Sequence, residues 1–223
     1  MKFTSVIDTR AAARVFVPDL TPEGQPKSIA FLPKLVFVAE SPHVSEVSPP
    51  IEAERRPLCG KAGVAWWGAL SEILEGKPAA SLTRVWMVDF CNRHHLAVMN
   101  AVQYPLDPLA SREVPEAEPS RTTGVSKAAR ADNYKRLKSN PEVQALLVSL
   151  RERLNHEGLA GCAVIPLGTD AEWFLKNAFS AEEYSRRVRK KLAHPSAWWR
   201  RGGLFGRQAR EVLTELHQQG ELN

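Results

Sequence analysis

Cysteine is scarce in this chain. Cys59, Cys91 and Cys162 are the only three, far apart and without a CxxC pair. That excludes a disulfide scaffold and the four-ligand spacing of zinc or iron–sulfur sites. A reduced, cytoplasmic setting is the expectation. Long hydrophobic runs are missing too. None approaches the roughly 20 residues that cross a membrane, and the first residues lack the apolar stretch of a signal peptide, so no membrane partner is expected. No internal repeat is present.

What is there suits one substantial domain spanning residues 1–223, since 43% of the residues are hydrophobic and can bury a real core. The net charge of +5 and a pI near 9.2 are compatible with a nucleic-acid partner without demanding one.

Four prolines break up residues 1–33, which read as an N-terminal arm. Residues 34–39 (KLVFVA) form a compact apolar run of the kind found in buried parallel strands. The run ends in Glu40-Ser41-Pro42-His43, a polar turn at the strand's carboxyl end, the edge where open α/β sheets bind ligands. Residues 62–75 predict a helix with Val64, Trp67, Leu70, Ile73 and Leu74 on its apolar side. Residues 84–90 (RVWMVDF) and 96–102 (LAVMNAV) read as a second and a third buried strand. Residues 106–131 lack periodicity and predict a long mobile loop.

Val143, Leu146, Leu147, Leu150 and Leu154 fall on one face of a helix over 141–157, which Gly158 stops. Residues 162–167 predict a further strand, Thr169 with Glu172 a capping box, and residues 204–218 a final helix. Strands alternating with helices imply an α/β fold: a three-layer sandwich with a central, mainly parallel sheet of four to five strands and helices on both faces.

The most unusual stretch is HPSAWWRRGGLFG, from His194 to Gly206. It places an imidazole, two large aromatics and several cations within a dozen residues. With VAESPH (Val38 to His43), RPLCGKAG (Arg56 to Gly63) and VMNAVQYP (Val98 to Pro105), it makes a set of four motifs. The set resembles the uracil-DNA glycosylase superfamily. VAESPH sits where that superfamily has GQDPY or GEAPG. RPLCGKAG is similar to RPFVGKAG of its thermophilic-type family. VMNAVQYP resembles the strand carrying a base-reading asparagine. HPSAWWRRGGLFG resembles HPSPLSxxxGFFG of the classical family. The motifs come in family order and span residues 38–206.

The resemblance implies roles. His194 would donate a hydrogen bond to O2 of the departing pyrimidine as negative charge grows there. Pro195 and Ser196 would hold the loop against a phosphate. Trp198 or Trp199 would be the wedge that fills the space left by a flipped nucleotide. Arg200, Arg201, Arg207, the RRVRKK run (186–191), Gly60 and Lys61 are candidate DNA contacts.

Glu40, with Ser41 beside it, would position water or stabilise the sugar cation. Asn100 can accept from uracil N3–H and donate to O4, while Asp89 would instead accept from the amino group of cytosine. Three departures fall on the base pocket. Ser41 replaces the classical aspartate, and His43 replaces the residue that crowds the pyrimidine C5 position. Leu58 replaces a base-stacking phenylalanine, a role Trp66 could take. The iron–sulfur cysteines of the thermophilic-type family are missing, so no cluster, metal or other cofactor is expected.

The reading is a monomeric, monofunctional DNA glycosylase that releases a flipped-out pyrimidine and leaves an abasic site. Its substrate would be uracil, in repair, or a C5-modified cytosine in foreign DNA, in antiviral defence. Two rivals remain: a catalytically silent DNA-binding module on this fold, and a nucleotide-binding α/β protein.

Overall fold

A computed structural model describes residues 19–20, 32–47, 49–51, 54–103, 138–139 and 141–222. The expected loop over 106–131 and nearly all of the expected arm over 1–33 lie outside them.

The centre is a parallel sheet. Strand β1 (Leu35–Ala39) lies between β2 (Leu96–Asn100) and β3 (Ala163–Pro166), with Phe37 opposite Val98 on one side and Ile165 on the other. All five residues of β1 are buried, as a strand covered on both faces requires. Side chains alternate between the faces. Leu35, Phe37 and Ala39 enter one core with Trp66, Trp67, Leu70, Met87, Phe90 and Leu213. Val36 and Val38 enter the other, with Val143, Leu147, Leu150, Leu154, Phe174 and Leu175.

The helices that supply these residues are α2 (Lys61–Glu75), α3 (Arg84–Arg93) and α7 (Arg200–Gln218) on the first face, and α4 (Pro141–Leu154) and α5 (Thr169–Ala178) on the second. Two short helices, α1 (Val44–Val47) and α6 (Ala181–Arg187), complete the set among the described residues. The chain is therefore α/β, with helices on both faces of a parallel sheet. Single bridges flank the three strands: Leu20 pairs antiparallel with Val98, and Val188 and Leu192 pair parallel with Val164 and Leu167. No helix among the described residues is long and apolar enough to cross a membrane.

Three readings of the sequence are corrected. Residues 84–90 are helix, not strand. The Thr83 side chain caps α3 by accepting from Trp86 N at 3.2 Å, and Met87, Phe90 and Cys91 bury one face at helical spacing. Trp86 stacks on Phe90, one turn on, at 5.0 Å. The proposed capping box does not form either. Gly168 is the cap residue of α5 and no side chain caps it. Glu172 instead binds Lys176 and Lys191. Val64 is exposed, and Trp66 takes its place in the core. The final helix runs from residue 204, as expected: Arg201, Gly202 and Gly203 all have positive φ and break α7 just after its first residue.

Candidate active site at the carboxyl edge of the sheet

The carboxyl ends of β1 and β3 open into a cavity of about 700 Å³. Three segments close around it. Glu40, Ser41 and His43 leave β1; Leu58, Gly60 and Lys61 lead into α2; His194, Ser196, Trp199 and Arg200 come from the loop before α7. Ten of the residues singled out in the sequence thus share one cavity, although up to 160 positions separate them. Leu192 brings the last segment in, because it pairs with Leu167 and its carbonyl accepts from Gly168 N at 2.8 Å.

Two glycines make the walls fit. A Cβ on Gly63 would lie 1.4 Å from the carbonyl oxygen of Leu58, so the GKAG segment can pass beneath Leu58 only with glycine there. Leu58 itself is buried in a left-handed conformation (φ 56°) that non-glycine residues seldom adopt. Gly168 has φ 99°, and a Cβ there would meet His194 Cβ at 3.0 Å.

Two histidines reach the cavity on the same local structure. Ser196 N donates to His194 Nδ1 at 3.2 Å, and Ser196 Oγ lies 2.7 Å from that nitrogen. Ser45 N donates to His43 Nδ1 at 3.2 Å, with Ser45 Oγ at 2.9 Å. A backbone N–H can only donate, so Nδ1 accepts in both rings and each neutral imidazole carries its proton on Nε2. The HPS and HVS tripeptides are thus equivalent hooks. Each presents an Nε2–H donor.

The tryptophans divide. Trp198 is 5% exposed, packs edge-on against Trp66 at 5.7 Å and donates its indole N–H to Ala193 O at 3.0 Å. It is a core residue and is corrected as a wedge candidate. Trp199 is 57% exposed at the cavity mouth. Trp66 is wholly buried between Phe37 and Trp198, so it is no stacking partner for a base.

Other candidates lie elsewhere. Asp89 is exposed on α3 and does not line the cavity, because the segment is helical. Asn100 ends β2 beside Ala39 but is buried outside the lining, with its Nδ2 unpartnered among the described residues. Arg153, missed in the sequence, holds that strand end. It is wholly buried and donates to Asn100 O (2.9 Å), Ala101 O (2.7 Å) and Asp19 Oδ2 (3.1 Å). Burial pushes the Asp19 carboxyl up, and Arg153 pulls it down.

The phosphate candidates thin out as well. Pro195 is buried, and the Ser196 N–H is committed to His194. Arg201 lies over the Phe205 ring, and Arg207 donates to Gly202 O at 2.8 Å. In the basic run, Arg187 is buried and donates to the carbonyls of Leu154, Leu159 and Cys162. Arg189 pairs with Glu221 and Lys191 with Glu172. Lys61 and Arg200 are exposed at the cavity, whereas Arg186 and Lys190 are exposed outside its lining.

Two acids in the lining were also missed. Asp170 is buried in the first turn of α5, directly after the carboxyl end of β3, a position that could have marked it. Glu46 is buried on α1. Burial pushes its carboxyl up to about 8, against hydrogen bonds from the backbone of His43 and Leu58 that pull it down. At neutral pH the group is mostly a protonated acid. Among the described residues no cluster of His, Cys, Asp and Glu could hold a metal ion. No family model matches the chain, and no curated protein matches it.

Proposed function

We propose that the chain is a monofunctional DNA glycosylase that hydrolyses the N-glycosidic bond of a flipped-out pyrimidine. One observation carries this reading: His194, with its proton set on Nε2, shares a cavity at the sheet's carboxyl edge with Glu40 and Ser41.

The steps follow from the residues present. Lys61 and Arg200 attract the phosphate backbone. Trp199 enters the space left by the extruded nucleotide. As the C1′–N1 bond breaks, its electron pair passes to the base, and the Nε2–H of His194 stabilises the charge arriving on O2. The sugar becomes a cation, and water held by Glu40 and Ser41 adds to C1′. The water's proton leaves to the Glu40 carboxylate or to solvent, and the base anion is protonated in turn. An abasic site remains. The fold proposed is that of the uracil-DNA glycosylases, with a sheet of four to five strands, a reading that the bridges at Val188, Leu192 and Leu20 support. A monomer in the cytoplasm that needs no cofactor belongs to the same reading.

A second reading concerns the substrate. A volume of about 700 Å³ exceeds what one pyrimidine fills and falls in the range of cavities that hold drug-sized ligands. This favours a cytosine with a bulky C5 substituent, and with it a role against modified foreign DNA.

The test is base release from oligonucleotides that carry uracil, 5-hydroxymethylcytosine or glucosylated 5-hydroxymethylcytosine. Release of one of them, abolished in His194→Ala, supports the proposal. DNA binding without any release would leave the silent DNA-binding module standing.

A further inference from the structure

Neither residue expected to read the base lines the cavity: Asp89 is on the outside of α3 and Asn100 lies beneath the end of β2. Glu46 does line it. Its carboxyl is buried and receives hydrogen bonds from the backbone of His43 and Leu58, and its Oε2 has no partner among the described residues. A buried polar atom without a partner is costly unless something satisfies it. A carboxyl group in such a place keeps its proton and becomes a hydroxyl donor beside an acceptor oxygen. The backbone donors occupy acceptor capacity on the group, so the proton is best placed on the buried, unpartnered oxygen, Oε2. What fits there is an acceptor with a planar edge.

The neighbours agree. His43 hydrogen-bonds Ser45, next to Glu46 on α1, and Leu58 forms the adjoining wall. On the loop before α7, His194 supplies a second fixed donor. A ligand meeting both would carry two acceptors on one planar ring, as uracil does with O2 and O4 and cytosine with O2 and N3.

We propose that Glu46 reads the base, donating from Oε2 to the pyrimidine's second acceptor while His194 donates to O2. This rests on the glycosylase reading and assigns its recognition residue. A hydroxyl on Oε2 suits either pyrimidine, because each offers a second acceptor beyond O2, O4 in uracil or N3 in cytosine.

The test separates recognition from chemistry. Full-length protein is titrated with three duplexes that differ at one position: 2′-fluoroarabino-uridine, 2′-fluoroarabino-cytidine, or a tetrahydrofuran abasic site. The fluorinated sugars resist cleavage, so the ratio of each affinity to the abasic affinity measures the base contribution alone. Wild type should favour one base over the abasic site by roughly tenfold or more, the size of effect expected when a buried donor meets its acceptor. Glu46→Leu should bring that ratio close to one with the abasic affinity unchanged. Glu46→Gln, which keeps a neutral donor beside an acceptor, should retain it within about threefold. Circular dichroism establishes that both variants are folded, and the glutamine variant carries the test if the leucine variant is not.

A wild-type ratio near one overturns the proposal, as does a leucine variant indistinguishable from wild type or a glutamine variant that loses the ratio. Which base gives the larger ratio identifies the acceptor, O4 or N3. Release assayed on the cleavable deoxynucleotides keeps the two readings apart. A base ratio that depends on Glu46, without release, would defeat hydrolysis and leave recognition standing. Release indifferent to Glu46 would do the reverse.

Discussion

Two histidines reach the cavity on the same hook, yet their surroundings differ. His194 is followed by the buried Pro195, lies against Gly168, and is backed by Trp198, whose indole N–H holds Ala193 O. His43 and Ser45 are exposed, at the start of a helix of one turn. The same hydrogen bonds set the tautomer in both. Packing decides which ring is fixed in place. A donor that stabilises developing charge is most effective when it is fixed before the reaction begins. A group beside the base can tolerate more motion. Under the proposed function, chemistry falls to the His194 wall and recognition to the His43 wall.

The largest expected effect tests what fixes the His194 hook. Trp198→Ala removes a buried ring packed edge-on against Trp66 and should lower unfolding free energy by about 3–5 kcal/mol. Trp199→Ala should stay within about 0.5 kcal/mol while weakening duplex binding. Urea denaturation with a parallel affinity measurement checks both. Equal stability losses would mean that the two tryptophans do not divide as described.

Next in size is the contrast between the rings themselves. His194→Ala should reduce single-turnover base release by about 10²–10³-fold, as loss of one fixed donor to a developing anion does. His43→Ala should cost less than tenfold (about 1.4 kcal/mol) and alter preference among C5 substituents. If the two losses match, the division of labour between the walls is wrong.

Much of this arrangement was legible in the chain, for particular reasons. The apolar run before Glu40, dense in Val and Phe, read as a buried strand, which put the polar turn after it at the ligand-binding edge. The HPSAWW stretch announced itself by composition. Residues 84–90 misled because a short apolar run fits either period; the Thr83 cap was the signal that decides for helix. Glu46 could not be found in this way. It sits in a proline-bounded polar stretch, and only the fold around Leu58 and His43 buries it. Trp198 and Trp199 are adjacent and identical, so the sequence could not say which faces inward.

The carboxyl on the His43 wall gives an effect of definite sign, spread over several pH units. Burial raises Glu46 from the ordinary 4.5 to about 8 in the fold. Between those limits the folded protein keeps a proton that the unfolded chain gives up. Stability from this group is therefore complete below about pH 4.5, falls as pH rises toward 8, and then levels. The slope approaches about 1.4 kcal/mol per pH unit. Glu46→Gln should flatten that decline without changing stability near pH 4. Glu75, held down at about 2 mainly by the hydrogen bond from Arg93, acts in the separate window below 4.5. Denaturation midpoints from pH 4 to 9 for both proteins isolate the difference, since other titrating groups are common to both. Parallel curves would mean that the Glu46 carboxyl is ionised in the fold.

The smallest effect bears on how the hooks are built. In each, Nδ1 has two neighbours on one serine, its backbone N–H at 3.2 Å and its hydroxyl at 2.7 or 2.9 Å. Alanine removes the hydroxyl and leaves the N–H. If the backbone bond sets the tautomer, Ser196→Ala and Ser45→Ala should each cost only about 0.5–1.5 kcal/mol, the net worth of one hydrogen bond. The imidazole nitrogen shifts in ¹⁵N spectra should still report the proton on Nε2. Because His194 is held by packing as well, Ser196→Ala should change base release less than tenfold (about 1.4 kcal/mol). His43 has less packing to fall back on, so Ser45→Ala should broaden its ring signals more than Ser196→Ala broadens those of His194. A switch of the His194 proton to Nδ1 in Ser196→Ala would show that the hydroxyl dominates, and would also turn Nε2 from a donor into an acceptor. Base release would then fall toward the His194→Ala level, and the assignment of His194 would stand on firmer ground than the account of its hook.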